Sequence, residues 1–523
     1  MNPIRRLVSI FGQLKRDLAV CLDDTQDAPP HATAQRNEDS SVVQEADQEE
    51  DEYSDDGEPD EDDEDDRRNF KAIRAITRKD LGELVLKTVY PAQELSLRTC
   101  HVTSRKEGSF HHAVFLRINI GERLERAYVL KIPAHGTQVG WLESDAYMLR
   151  NEAVLMQHIR HHTQCPVPEV IAFDETLDNP IGAPYILMEE MAGSSALDMW
   201  FGKSHNDVPN GEQYLEADDP SLELEQKRTR FLASLAQAMS HLQNLEFKRI
   251  GIPVFNEPED ELPTSYGPVW RWHSQLCMQE PKPIGPYITA GLYFRYGLNQ
   301  TWGVSEIASL DPSLPGVLEF KGVRKIWNMV LTSPPFAKPP RPPVNDVEDN
   351  ETDDKVLPKK IFVLRHDDLD LQNILVDCDG NVTGIIDWDG CMAAPRCVGY
   401  ASLPVFLRRD WLPNYSTANW LHMNWSLKHY RAIYTDAMAE ACCTDDPTPS
   451  DAQFTKKSVI YQALLAALYE DEDCRQVIGK LLAEIEEFRH VNFAQLCVRL
   501  GKGWPAAEKV LKEKIVELLA PEA

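Results

Sequence analysis

Several features are missing from this 523-residue chain, and each absence narrows what it can be. No window approaches the roughly 18 to 20 consecutive apolar residues that a membrane-crossing helix needs, so a soluble chain without a transmembrane segment is expected. No CxxC pair occurs, and the eleven cysteines are odd in number and mostly dispersed, as at Cys21, Cys100, Cys165 and Cys277. That argues against a zinc ribbon or a disulfide framework and points to a reducing compartment. Basic residues are outnumbered: 54 Lys and Arg face 84 Asp and Glu, a formal charge of -30. A phosphate polymer needs a basic face, so a nucleic-acid partner is not expected.

Lysine and arginine are absent altogether from residues 38–66, which hold 18 Asp or Glu. Without this run the other 494 residues carry only -12, an ordinary value. The run has almost no apolar residues and repels itself, so a disordered, solvated linker is expected. It could also lure a protein partner. The first twenty residues lack acids before Asp17 and place Ile4, Leu7, Val8, Phe11, Leu14 and Leu18 at helical spacing among Arg5, Arg6, Lys15 and Arg16. Such a start reads as a surface helix of a cytoplasmic protein or as a mitochondrial transit segment.

From about residue 71 the pattern turns globular. Two strands are predicted over 110–120 and 126–132, and Ser144 can cap a helix running to about Arg160. Val170–Phe173 and Tyr185–Glu189 read as further strands, and 228–244 as a helix. The proline-rich, acidic stretch 333–359 reads as a disordered insertion. The tail beyond about Trp420 is helical, with Tyr461, Leu464, Leu465 and Leu468 as one stripe. Four segments result: 1–70, 71–190, 191–412 and 413–523.

The chemistry concentrates in 361–388. An apolar run, Ile361–Leu364, leads into His366, Asp367, Asp368, Leu369, Asp370, Leu371, Gln372 and Asn373. A second run, Ile374–Val376, then turns through Asp377–Asn381 and returns along 382–386 to Asp387, Trp388 and Asp389. Antiparallel strands bring Asn373 and Asp387 to one end of this hairpin. Carboxylates and an amide on one rim suit a hard cation bound together with phosphate oxygens. Asp370, Asp377, Asp379 and Asp389 are further acids nearby; Asp377 and Asp379 read better as solvated turn positions. His366 reads as structural.

His366-x-Asp368-Leu369-x-x-x-Asn373, with Ile386-Asp387-Trp388 following, resembles the aminoglycoside phosphotransferase family and, outside the loop, its large fungal-type members. The resemblance continues outward through Tyr128–Pro133, Asn151-Glu152-Ala153, Pro166-Val167-Pro168 and Tyr185–Glu189. It implies an α+β, bilobal protein-kinase-like fold with a small β-rich lobe and a larger, mainly helical one. It implies ATP and Mg²⁺ as cofactors and a small-molecule hydroxyl as acceptor. Asp368 would act on the attacking hydroxyl as catalytic base, and Asn373 and Asp387 would hold the metal. Lys131, paired with Glu152, would contact the phosphates, and Leu187, Met188, Glu189 and Glu190 would offer backbone groups to adenine.

Two departures stand out. Ser104–Phe110, where a glycine-rich loop is expected, has Gly108 alone, and nothing after Trp388 identifies an acceptor. Two other readings stay open. A protein kinase usually has arginine where Asp367 stands, to pair with a phosphorylated loop, and the eight residues from Asp387 to Pro395 are short for an activation segment. A kinase-shaped binding module would need none of the five polar side chains at 131, 152, 368, 373 and 387.

Overall fold

The strands expected over 110–132 form the middle of a five-stranded antiparallel sheet. The computed structural model describes residues 67–521 except 93–98, 121–123, 203–216, 272–280, 302–309, 312, 314–315, 338–360, 412–421, 444–448 and 470–472. The amphipathic start, the acidic run and most of the proline-rich stretch therefore lie outside the described residues. The sheet comprises β1 (Cys100–Glu107), β2 (His111–Ile120), β3 (Leu124–Pro133), β4 (Val170–Asp174) and β5 (Tyr185–Glu189), in spatial order β1-β2-β3-β5-β4.

Period-two alternation decides its two faces. Val114, Leu116 and Ile118 of β2 and Tyr128, Leu130 and Ile132 of β3 are buried in one small core. That core also holds Ile73, from the short helix α1 (Lys71–Arg74), and Leu81, Leu84 and Val85 of α2 (Arg78–Val89). Helix α2 starts at Thr77, whose hydroxyl accepts from the Asp80 amide at 3.1 Å. Lys131 has the opposite parity, opposite Ala113 in the ladder, and so points away from this core toward the other lobe.

Helix α3 (Glu143–His162) follows the sheet's third strand. Ser144 does not cap it. The helix begins one residue earlier, and the Asp145 carboxylate reaches back to accept from the Leu142 amide at 3.1 Å while pairing with Arg67 at 2.7 Å. Ser144 therefore lies inside the first turn, and an ionised acid at the third helical position suits the helix N-terminus.

The larger lobe is mainly helical: α4 (Ala196–Phe201), α5 (Leu222–Ser240), α6 (Ala290–Thr301), α7 (Val317–Leu331), α8 (Asn424–Ala441), α9 (Ser458–Tyr469), α10 (Cys474–Ala483), α11 (Phe493–Lys502) and α12 (Pro505–Leu519). Helix α5 starts six residues ahead of the sequence expectation, capped by Ser221. The apolar stripe hid that start, because Arg228 is itself fully buried. Its guanidinium donates to the carbonyls of Trp200 and Ala217 and to the Tyr430 hydroxyl, each at 2.8 Å.

The tail helices share this lobe's core with α3, α5 and α7. Helices α7 and α11 approach so closely that a Cβ on Gly322 would overlap the Cys497 carbonyl, and one on Gly501 the Leu318 carbonyl. The first residues of the expected insertion, 333–337, are packed: Ser333 bonds back to the Met329 carbonyl at 2.7 Å, and Phe336 is buried against Phe294 and Tyr461, while 338–360 lie outside the described residues. One aromatic side chain with a pocket outweighs the prolines around it.

Short strands place the polar loop. They are β6 (Ser194–Ser195), β7 (Glu246–Phe247), β8 (Ile252–Val254), β9 (Ser265–Gly267), β10 (Val269–Arg271), β11 (Lys282–Ile284), β12 (Phe362–Arg365), β13 (Ile374–Val376), β14 (Val382–Ile385) and β15 (Met392–Pro395). Strand β12 runs between β15 and β7, and β13 between β14 and β6. The fold is α+β and bilobal, protein-kinase-like in arrangement. Among the described residues no helix is long and apolar enough to cross a membrane, and the nine cysteines are all free thiols.

Candidate active site

The β13–β14 hairpin is closed by Asp377, whose carboxylate accepts from the amides of Asp379 and Asn381 at 2.9 and 2.8 Å and from the Asn381 side chain at 2.8 Å. Asp377 is thus spent on the turn, with Asp379 beside it. At the other end, Ile374 faces Ile385, and the Ile386 amide donates to the Asn373 carbonyl at 2.9 Å. This brings Asn373 and Asp387 to one rim. Asp387 has a φ of 61°, the only positive value at a non-glycine among the described residues. Aspartate tolerates that left-handed conformation better than most residues.

The polar loop is held from inside. Asn373 donates from Nδ2 to the Asp368 carbonyl at 2.9 Å and to its Oδ2 at 3.0 Å, and Gln372 reaches the same oxygen at 3.3 Å. Asp368 itself opens to solvent. Desolvation by its surroundings, with the charges of Asp370, Asp387 and Asp367, pushes its carboxyl up to about 6 against the pull of Asn373. Asp370 is buried; it accepts from the Leu371 amide at 2.9 Å and pairs with Arg409, so it serves the loop's shape. His366 is also buried, donating from Nε2 to the Ile386 carbonyl at 3.1 Å with its ring edge-on to Trp388.

Lys131 crosses from the sheet to this rim. Its ammonium donates to Glu152 Oε1 and to Asp387 Oδ1, each at 2.7 Å. Residues 21 and 256 positions away thus meet on one cation. Burial would draw the ammonium's pKa down, but Asp387, Glu152 and Asp389 outweigh it and hold it above the ordinary lysine range. Burial pushes the Glu152 carboxyl up to about 7, with Lys131 opposing. Burial alone would raise the Asp387 carboxyl too; Lys131 and His111 hold it well below the usual range. Asp389 belongs to the same electrostatic neighbourhood.

The expected glycine loop and hinge residues are differently employed. The Gly108 amide donates to the His111 carbonyl at 2.9 Å and closes the β1–β2 turn, so it is not a free phosphate donor. Leu187 and Met188 are buried within the sheet, paired with Leu130 and Val129. The amides of Glu189 and Glu190 donate to the carbonyls of Glu169 and Ala127 at 2.9 and 3.0 Å, and the Glu190 side chain pairs with Arg117. A purine there would have to use carbonyls of this stretch or the turn that follows it.

Sequence reasoning missed His111 and Arg271. His111 starts β2 two residues before Ala113, the ladder partner of Lys131, so alternation alone assigns it to the cleft face. Arg271 carried no such signal; only the fold brings its Nη2 to Asp367 Oδ1 at 2.8 Å.

The donors around Asp387 are a carboxylate and a neighbouring amide, all usable through oxygen. That set fits Mg²⁺, which takes one or two protein ligands and completes its shell with phosphate and water. Among the described residues no three His, Cys, Asp or Glu side chains form a metal-binding group.

Residues 337–423 match the profile of the phosphotransferase enzyme family, APH. A subtelomeric hrmA-associated cluster protein of Aspergillus fumigatus is 26% identical over 329 residues, 58% of this chain and 60% of that protein. Altered inheritance of mitochondria protein 9, mitochondrial, of Kluyveromyces lactis is 22% identical, over 62% of this chain and 52% of its own length. The chain thus spans about 60% or less of these relatives. Among solved structures, an aminoglycoside phosphotransferase, APH(4)-Ia, aligns over 85% of this chain and all of its own at 13% identity with a TM-score of 0.36. A Plasmodium vivax ethanolamine kinase aligns over 82% of this chain and 89% of its own at 12% identity, with a TM-score of 0.33. The profile match spans the His366–Asn373 loop, the hairpin and the Asp387 corner, and it is this stretch of the chain that is similar to the phosphotransferase enzyme family.

Proposed function

We propose that this chain is an ATP- and Mg²⁺-dependent phosphotransferase that passes the γ-phosphoryl group to a hydroxyl of a small molecule. The observation that carries the reading is the ammonium of Lys131 held between Glu152 and Asp387, on the rim that also presents Asp368 and Asn373. Phosphoryl transfer asks for little covalent chemistry and much positioning and charge stabilisation. Lys131, kept charged by its acids, would meet the nucleotide's phosphates while Glu152 holds it in place. Asp387 and Asn373 would hold Mg²⁺, which when bound supplies charge neutralisation at the phosphates. Asp368, oriented by Asn373 and Gln372, would take or orient the acceptor's proton, an effect of roughly 10²- to 10⁴-fold.

A kinase-shaped binding module is the second reading, and one observation favours it: the single glycine amide of the β1–β2 turn is already used. Thermal shift separates the two. ATP with Mg²⁺ should raise the melting temperature, Asp387→Ala should abolish the magnesium dependence, and Asp368→Asn should keep the shift while losing turnover. No shift with ATP and Mg²⁺ would leave the binding module. A panel of hydroxyl metabolites assayed for ATP consumption would name the acceptor. The acidic head remains a candidate site for a protein partner. For compartment, the mitochondrial names of the yeast relatives and the acid-free basic start together favour import over the cytoplasm, which a fluorescent fusion would test.

A further inference from the structure

Residues 250–271 and 281–287 lie between the catalytic elements in sequence, and nothing in phosphotransfer chemistry requires them. They fold as two antiparallel strand pairs, β8 with β9 and β10 with β11. On one side they meet helix α3, which carries Glu152. Strands β8 and β10 both pack along α3. The His158 ring of α3 stacks on Phe255 at 3.8 Å and donates from Nδ1 to the Pro258 carbonyl at 3.1 Å. The Tyr147 hydroxyl of α3 lies so near Gly267 that a Cβ there would overlap it.

On the other side the same residues meet the polar loop. Gly251 and Ala393 exchange backbone hydrogen bonds at 3.1 and 2.9 Å, tying the segment to β15, the neighbour of β12. Arg271 donates from Nη2 to Asp367 Oδ1 at 2.8 Å, while Arg365 reaches that oxygen at 3.4 Å from within the loop's own strand. Asp367 adjoins Asp368 and lies in a concentration of acids, and the shorter of the two charge-assisted bonds that reach it among the described residues is the one from Arg271.

The geometry points to this segment as an internal clamp that couples the helix of Glu152 to the loop of Asp368, with Arg271 as its positioning residue. In a two-lobed kinase fold the helix bearing the lysine's partner can swing, and its placement is a point of control. Here that helix is fastened to the large lobe through Tyr147 and His158. The fastening piece also grips Asp367, the position where a regulated protein kinase keeps an arginine for a phosphorylated loop. The sign of the pair is reversed and both partners are built in. The loop is therefore held without an external phosphate, and anything that loosens α3 loosens the loop as well.

Only the kinetic arm of the test rests on the phosphotransfer reading. Hydrogen exchange on the nucleotide-free full chain reads segments 143–162 and 366–373. Arg271→Gln should speed exchange in both segments by about threefold or more, and Arg271→Lys should restore most of the protection. Gly267→Ala, forced against Tyr147 from the far side, should speed exchange in 366–373 as well as in α3. Loosening confined to the mutated side in either variant, or no loosening in both, overturns the clamp. In the kinetic arm, kcat for acceptor-independent MgATP hydrolysis should fall about tenfold in Arg271→Gln and recover in Arg271→Lys. A wild-type chain that fails to bind MgATP refutes the phosphotransferase reading, and the exchange data still decide the clamp.

Discussion

Replacing His366 by glutamine should flatten the acid side of the protein's stability profile by a calculable amount. The imidazole is 6% exposed, donates from Nε2 to the Ile386 carbonyl, and has no partner for Nδ1 among the described residues. Burial, opposed by Asp387 and by the Ile386 hydrogen bond, lowers its pKa from 6.5 to about 4. The sign follows directly. Below pH 6.5 the unfolded chain takes up a proton that the folded one refuses until about pH 4. Stability is therefore lost as pH falls through that window and levels off beneath it. Between pH 7 and pH 5 the loss from this ring is about 2 kcal/mol. Glutamine does not titrate and retains an amide donor for Ile386. Urea unfolding of the full chain at the two pH values, in wild type and variant, reads the difference. His135 and His158, also lowered to about 4 by burial, contribute equally to both proteins and cancel. If wild type and His366→Gln lose the same stability on acidification, His366 is not held neutral and its structural role in the loop is refuted.

Gly322→Ala should lower stability by about 1–3 kcal/mol, because the added methyl drives α7 off the Cys497 carbonyl of α11; an unchanged melting temperature would show that the tail helices are not locked to the lobe. Arg228→Met should cost roughly 3–5 kcal/mol, since it strands the carbonyls of Trp200 and Ala217 inside the core, and a small effect by urea unfolding would mean water replaces the guanidinium. The acid limb of kcat/KM should lie near pH 6, where Asp368 becomes protonated and can no longer accept the acceptor's proton. A limb that stays below pH 4.5 would remove Asp368 from the role of base.

Much of the site was legible as pattern. The strands predicted over 110–120 and 126–132 form, and in the ladder Lys131 lies on the face opposite the small core. The turn chemistry of Asp377–Asn381 set the hairpin and hence the meeting of Asn373 with Asp387. These are short-range matters, in which side-chain parity and turn preference act over a few residues. Where a local preference met a stronger neighbour, the pattern misled. The helix started ahead of Ser144, with Asp145 closing the turn onto the Leu142 amide, and the prolines after Ser333 yielded to the pocket for Phe336. Gly108 lies in the β1–β2 turn, and its amide is consumed there by the His111 carbonyl.

The one-dimensional code therefore settled which side chains share a strand face and which loop carries the polar cluster, because those follow from backbone periodicity. Contacts between distant segments came from packing alone. That Lys131 reaches Asp387 across the cleft, that Arg271 grips Asp367, and that the tail helices complete the large lobe's core depend on how separate elements close around buried apolar surface. No spacing in the chain encodes a salt bridge between residues 131 and 387; it exists because two lobes, each folded by its own periodicity, come together at that rim.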